Sequence, residues 1–134
     1  MCIRDRPTTT DPAETEAKIQ AALSSDPSVD AIVGLSAPLV GEPAVAVTER
    51  LGLTGKVHVA TFDMSPGFLQ AIADGKADFA VDQQPYLQGY LPVSFLALNA
   101  RYGTIPAGNV ASGPSFVTKD TASEVIENAA KGIR

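Results

Sequence analysis

Residues 57–90 read VHVATFDMSPGFLQAIADGKADFAVDQQPYLQGY and decide the fold. The pattern is strand, loop, helix, strand, loop, helix, and each strand ends on an acid or an amide. Val57-His58-Val59-Ala60-Thr61-Phe62 is the first strand and runs into Asp63; Ser65-Pro66-Gly67 then opens a helix that stops near Asp74-Gly75-Lys76. The second strand, Ala77 to Val81, runs into Asp82-Gln83-Gln84, and Pro85 starts another helix. In open α/β sheets, ligands bind at the carboxyl ends of parallel strands, where loops hold polar side chains over a crevice. A carboxylate only accepts hydrogen bonds, whereas an amide both donates and accepts. Asp63 and Gln83 therefore read as a pair suited to the hydroxyls of a polyol.

The same alternation extends upstream. Asp11-Pro12 is a helix start, with Asp as N-cap and Pro at the first helical position; Ala17, Ile19, Ala22 and Leu23 follow at helical spacing, and Ser24-Ser25-Asp26-Pro27 ends the helix. Val29 to Leu35, VDAIVGL, is the short apolar run of a buried parallel strand. A helix beginning at Leu39 or Glu42 runs to Leu51 and exits through Gly52-Leu53-Thr54-Gly55. Strands alternating with helices of this length predict βαβ units, a parallel sheet and right-handed crossovers.

The last third differs. Pro85 to Arg101 is apolar around most of its circumference, as a helix buried on more than one side would be, and Pro92 is expected to kink it or mark its effective start. Tyr86 and Tyr90, four apart, read first as core packing. Residues 102–109 form a turn-rich connector, and residues 110–118 hold an edge strand or an irregular extended segment around Pro114. A final amphipathic helix spans Thr121 to Lys131, with Gly132 as its C-cap.

Composition bounds the function. The 134 residues are 45% hydrophobic and 19% charged, which is globular, and carry a net charge of -5 with ten Lys and Arg scattered along the chain. No basic stripe tracks phosphates, so no nucleic-acid partner is expected. No run reaches the about 18 apolar residues that a membrane-spanning helix needs, so no direct membrane insertion is expected. Cys2 has no partner for an internal disulfide. His58 stands alone in an apolar strand and reads as structural, because a metal site takes about three or four ligands; no metal or cofactor is expected. Met1–Arg6, MCIRDR, lacks the apolar region of a secretory signal and reads as a non-native or disordered start.

Catalysis finds no support. There is no G-x-S-x-G elbow, P-loop or G-x-G-x-x-G turn. A Ser–His–Asp set would need His58, which lies mid-strand and far from the carboxyl end. Asp63 and Asp82 could in principle do acid/base work, but glycosidases set such a pair across a cleft. The expectation is a binding protein with no catalytic residues.

The runs VDAIVGLS (residues 29–36), VATFDMSPGFLQAIADGKADFAVDQQPYLQGY (59–90) and GPSFVTKDTASEV (113–125) resemble the C-terminal half of a type I periplasmic sugar-binding protein, the ribose-binding-protein-like solute receptors of ABC transporters. In that family two Rossmann-like lobes close on a sugar. The resemblance implies ligand-binding roles for Asp63, for Phe62 against the sugar ring, for Gln83, and for Ser36. At Ser36 the chain departs from the family, which usually carries Asn followed by Asp where Ser36-Ala37-Pro38 stands here. A hydroxyl reaches less far than an amide and offers one donor rather than two.

The resemblance also implies an organisation. Residues 7–84 would form the second, C-terminal lobe of a two-lobed fold. Residues 85–109 would be a crossover helix and connector packing on a first lobe outside this sequence. Residues 110–134 would be a C-terminal extended segment and helix. Leu87, Leu91, Phe95 and Leu98 would then be partly exposed or folded back on whatever surface is available. The implied protein is the periplasmic sugar- or polyol-binding component of an ABC importer, represented by its C-terminal half, with the transporter permease as partner and hinge closure as mechanism. The alternative is the effector-binding half of a lac-repressor-like regulator, which shares the two-lobed fold. A weaker option is the extracellular sensor module of a signalling protein.

Overall fold

The computed structural model describes residues 3–134. Met1 and Cys2, within the expected non-native start, lie outside the described residues. Residues 3–9 form no helix or strand, and Arg4 pairs with Asp26 at 3.0 Å.

Among the described residues, five α-helices and four strands follow in the order α1 (Pro12–Ser25), β1 (Ala31–Gly34), α2 (Glu42–Arg50), β2 (His58–Phe62), α3 (Pro66–Ala73), β3 (Phe79–Asp82), α4 (Pro85–Tyr102), β4 (Ser115–Thr118) and α5 (Lys119–Ala130). A π turn, Ala37–Gly41, leads directly into α2. The predicted elements are all present, and most differ only at their ends. Asp11 caps α1 as expected, its carboxylate accepting the Ala13 N–H at 2.9 Å. Ser65 caps α3 by accepting the Phe68 N–H.

The sheet order is β1-β2-β3-β4. The first three strands are parallel and β4 runs antiparallel to β3, with Asp82 opposite Ser115 and Val81 opposite Phe116. The extended residues near Pro114 therefore make an edge strand that begins just after the proline, where a missing N–H costs no ladder bond.

Register and pleat divide the sheet into two faces. Val59, Thr61, Ala80 and Val117 point under the helices and are buried with Phe68, Leu69, Ile72, Val47 and Ala122. Helices α1, α2, α3 and α5 pack side by side in chain order. That single layer follows from right-handed crossovers between strands laid down in sequence. The opposite face carries Val33, Phe62 and Phe116, all exposed, with Phe79 and Phe116 in edge-to-face contact at 5.6 Å.

The helix α4 stands apart. It runs unbroken through Pro92 and contributes no buried residue. The apolar circumference that predicts burial on several sides is covered only on one side among the described residues. Tyr86 and Tyr90 stack on each other at 6.1 Å between ring centroids and are exposed, which corrects the core-packing expectation. Leu87, Leu91 and Phe95 are half-buried beside Pro106 and Val110 of the connector, around a concavity of about 390 Å³. The connector thus folds back on one side of the helix, while Val93, Leu96 and Leu98 remain exposed.

His58 is structural but not a core residue. Its Nδ1 lies 2.8 Å from Asp78 Oδ1, and the other Asp78 oxygen accepts the Val59 N–H at 2.9 Å. Asp78 thus ties β2 to the start of β3. The carboxylate beside it raises the imidazole pKa, first through this hydrogen bond and then through its charge.

Candidate functional site

The loops after β1, β2 and β3 lie in a row along the carboxyl edge of the parallel sheet. Neighbouring strands are about 4.8 Å apart, so the three strand ends span about 10 Å, room for a ring of monosaccharide size. Ser36 follows β1, Asp63 follows β2 and Gln83 follows β3.

Backbone geometry at these points is unusual and well held. Among the described residues, the non-glycine positions with positive φ are Asp63 at 76° and Gln84 at 55°. The left-handed region costs L-residues about 1–2 kcal/mol and is tolerated best by Asn and Asp. Such residues cluster where a binding site imposes its own geometry. The Asp63 N–H bonds to the Val81 carbonyl at 2.9 Å, and the Asp63 carbonyl accepts the Thr61 hydroxyl at 3.0 Å. Among the described residues, no donor bonds the Asp63 carboxylate. Its backbone is thus fixed by two hydrogen bonds that leave the carboxylate unused.

The Gln83 loop is held in the same way. Asp82 points to the helix side of the sheet and is fully buried. Its Oδ1 accepts the Gln84 N–H at 2.7 Å and its Oδ2 accepts Arg134 Nε–H at 2.9 Å. Strand alternation sends the next side chain, Gln83, to the open face, and among the described residues its amide has no hydrogen-bond partner. There Gln83 and Phe62 line one concavity of about 330 Å³ with Val81, Gln88, Ser112 and Gly113. Asp63 and Ser36 do not line that concavity; they continue the row along the strand ends.

The π turn after Ser36 is packed closely against the sheet. The Ser36 carbonyl accepts from both the Val40 and Gly41 N–H groups, at 3.0 and 3.1 Å. Gly41 lies against β2 and α3 so closely that a Cβ there would sit 2.4 Å from Thr61 Cγ2 and 2.8 Å from Phe68 Cδ2. The Ser36 hydroxyl makes no cap bond and stays available at the end of β1. One residue beyond the turn, Glu42 accepts the Ser65 hydroxyl at 2.6 Å, which joins the loops after β1 and β2. Its charge also sits favourably beside the N-terminus of α3.

Gln88, Ser112, Gly113 and Arg134 were not singled out from the sequence. Gln88 had one usable signal: it is an amide one turn into the helix that Pro85 opens. Ser112, Gly113 and Arg134 arrive from far along the chain and had none. Among the described residues, no three His, Cys, Asp or Glu side chains are grouped to hold a metal ion, and no helix is long and apolar enough to cross a membrane.

A mostly parallel α/β sheet with polar loop residues in a row at its carboxyl ends is the architecture of the periplasmic-receptor class. The chain belongs to the periplasmic binding protein family, whose domain profile matches residues 3–104. It is 38% identical over 65 residues to the xylose/arabinose-binding protein XylF of Sulfolobus acidocaldarius, a match covering 48% of this chain and 16% of that protein. Its fold is similar to that of a carbohydrate transporter from Acidothermus cellulolyticus in complex with myo-inositol, with a TM-score of 0.79 and 33% identity over 92% of this chain. A periplasmic ribose ABC transporter from Conexibacter woesei shares the fold at a TM-score of 0.76 and 22% identity, over 97% of this chain. The chain spans less than half the length of these relatives: 43% of the first structure and 44% of the second. They are named as sugar-binding and transport proteins, and the fold is that of one lobe of a type I periplasmic binding protein.

Proposed function

We propose that this chain forms one wall of the sugar- or polyol-binding cleft in the solute-binding component of an ABC importer, acting in the periplasm and presenting its closed form to the transporter permease. The observation that carries this reading is the pair Asp63 and Gln83. A carboxylate and an amide stand at the carboxyl ends of adjacent parallel strands, with fixed backbones and free side chains. Together they match the donor and acceptor pattern of vicinal hydroxyls. Phe62, exposed on the open face, supplies an apolar surface for the C–H side of a sugar ring, and Ser36 adds a hydroxyl at the far end of the row. No cofactor or catalytic group is needed, because the work done is differential binding of an open and a closed form.

Residues 7–84 and 110–134 then constitute one lobe, and residues 85–109 pack on an opposing lobe. The support for this division is α4 itself, which buries nothing here and exposes Tyr90, Val93 and Leu96. The sugar draws the two lobes together about the segments that join them.

Calorimetric titration of the two-lobed protein with myo-inositol, D-xylose and L-arabinose tests the assignment. Asp63→Ala and Gln83→Ala are each expected to weaken the bound sugar by about 1.5–3 kcal/mol, the scale of hydrogen bonds to charged or desolvated groups. Unchanged affinity in both variants would exclude this site.

A further inference from the structure

The exit of β3 is held more tightly than a loop at the edge of a domain requires. Asp82 is fully buried and grips the Gln84 N–H with one oxygen and Arg134 with the other. Arg134 reaches it because α5 ends in a left-handed glycine turn. Gly132 has φ 67°, its N–H bonds to the Ala129 carbonyl, and the Ile133 N–H bonds to the Asn128 carbonyl. This pattern reverses the chain toward the sheet. From the other side, Gln88 Nε2 uses both its hydrogens, one to the Gln83 carbonyl at 2.8 Å and one to Ser112 Oγ at 3.1 Å. Ser112 belongs to the segment returning to β4. Its neighbour Gly113 lies so close that a Cβ would sit 2.9 Å from the Asp82 carbonyl oxygen. The two segments that join α4 to the sheet therefore run side by side, and Gln88 bridges them. Between these ties sits Gln83, its carbonyl bonded and its side-chain amide free.

We propose that Gln88 is a positioning residue for Gln83. It completes a clamp begun by Asp82 and Arg134 that holds the Gln83 amide toward the ligand while the segments on either side carry the motion between lobes. This rests on the reading of Gln83 as a sugar ligand. Gln88 is exposed and about one turn into α4, so its side-chain bonds are not needed to build the helix or the core. Their effect is to fix the backbone at a residue whose neighbour, Gln84, is in the left-handed region. A backbone held there leaves little freedom in where the preceding Gln83 side chain points.

A double-mutant cycle on the full two-lobed protein tests the proposal, because such cycles isolate what two residues do together. Sugar affinity is read by calorimetry with myo-inositol and D-xylose, and exchange of the Gln84 amide is read without sugar. Gln88→Leu is expected to weaken sugar binding about tenfold in the wild-type background. In the Gln83→Ala background it is expected to change nothing, and in the sugar-free protein it is expected to speed Gln84 exchange. A loss of the same size in both backgrounds, or no loss in either, overturns the positioning role. If the unmutated protein binds no sugar, the site reading fails on its own. The clamp is then judged by Gln84 exchange alone, and unchanged exchange overturns it.

Discussion

Arg134 Nε and the buried Asp82 carboxylate meet at 2.9 Å, joining the end of α5 to the end of β3. Asp82 has no exposed surface, whereas the Arg134 side chain keeps 35% of its own. The carboxylate is thus held by one partly solvated cation and one backbone N–H, and it depends on both. Arg134→Met keeps the aliphatic contact and removes the charge. It is expected to lower stability by about 1.5–3 kcal/mol, toward the lower end because water screens the guanidinium. Denaturant unfolding read by circular dichroism gives the value, and a change within error would show that the pair contributes nothing net.

Gly41→Ala is expected to be among the most damaging small substitutions in the chain. The added methyl would overlap Thr61 and Phe68, both buried, and the π turn that carries Ser36 would have to move. Overpacking of this kind costs about 1–3 kcal/mol. Thermal unfolding should show the loss, and an unchanged midpoint would mean that the turn has room that the packing denies.

The His58–Asp78 pair sets a pH dependence. The folded imidazole has its pKa raised above 6.5 by the hydrogen bond and charge of Asp78. Protonated His58 therefore favours the folded form. That contribution is complete below the unfolded value of about 6.5 and is lost as pH rises through the higher folded value. The imidazole is solvent-exposed, so the effect on stability is small. An NMR titration of the His58 ring protons should place the midpoint above that of the Asp78→Asn variant; equal midpoints would remove Asp78 as the cause.

The 134-residue chain by itself is expected to bind myo-inositol, D-xylose or L-arabinose weakly or not detectably. One wall supplies one side of the contacts, and closure cannot exclude water from a sugar held on an open surface. Submicromolar binding by this chain in a calorimetric titration would contradict the two-walled cleft.

Much of the architecture is legible in residues 57–90. Alternating apolar runs, proline helix starts and acid or amide strand ends specify βαβ units and locate Asp63 and Gln83 at the strand ends. Local chemistry also sets the helix starts at Asp11 and Ser65, because an N-cap acts within three residues of itself. The antiparallel direction of β4 was not legible, since a short strand after a connector carries no mark of its direction. Tyr86 and Tyr90 read as core from their spacing and are exposed here, because periodicity reports that a surface is apolar and not what covers it.

The sequence by itself determined the layered α/β class, the helix caps and the kinds of side chain at each strand end. These depend on interactions a few residues long and on the period of the apolar pattern. Only the tertiary structure decided that Asp82 turns inward to Arg134 while Gln83 turns outward. It also decided that Gln88 and Ser112 bridge two segments of the chain, and that Gly41 presses the π turn against Thr61 and Phe68. Each of these joins residues far apart in sequence, and such contacts exist only once the sheet register and the packing of α5 have fixed which side of the chain faces which.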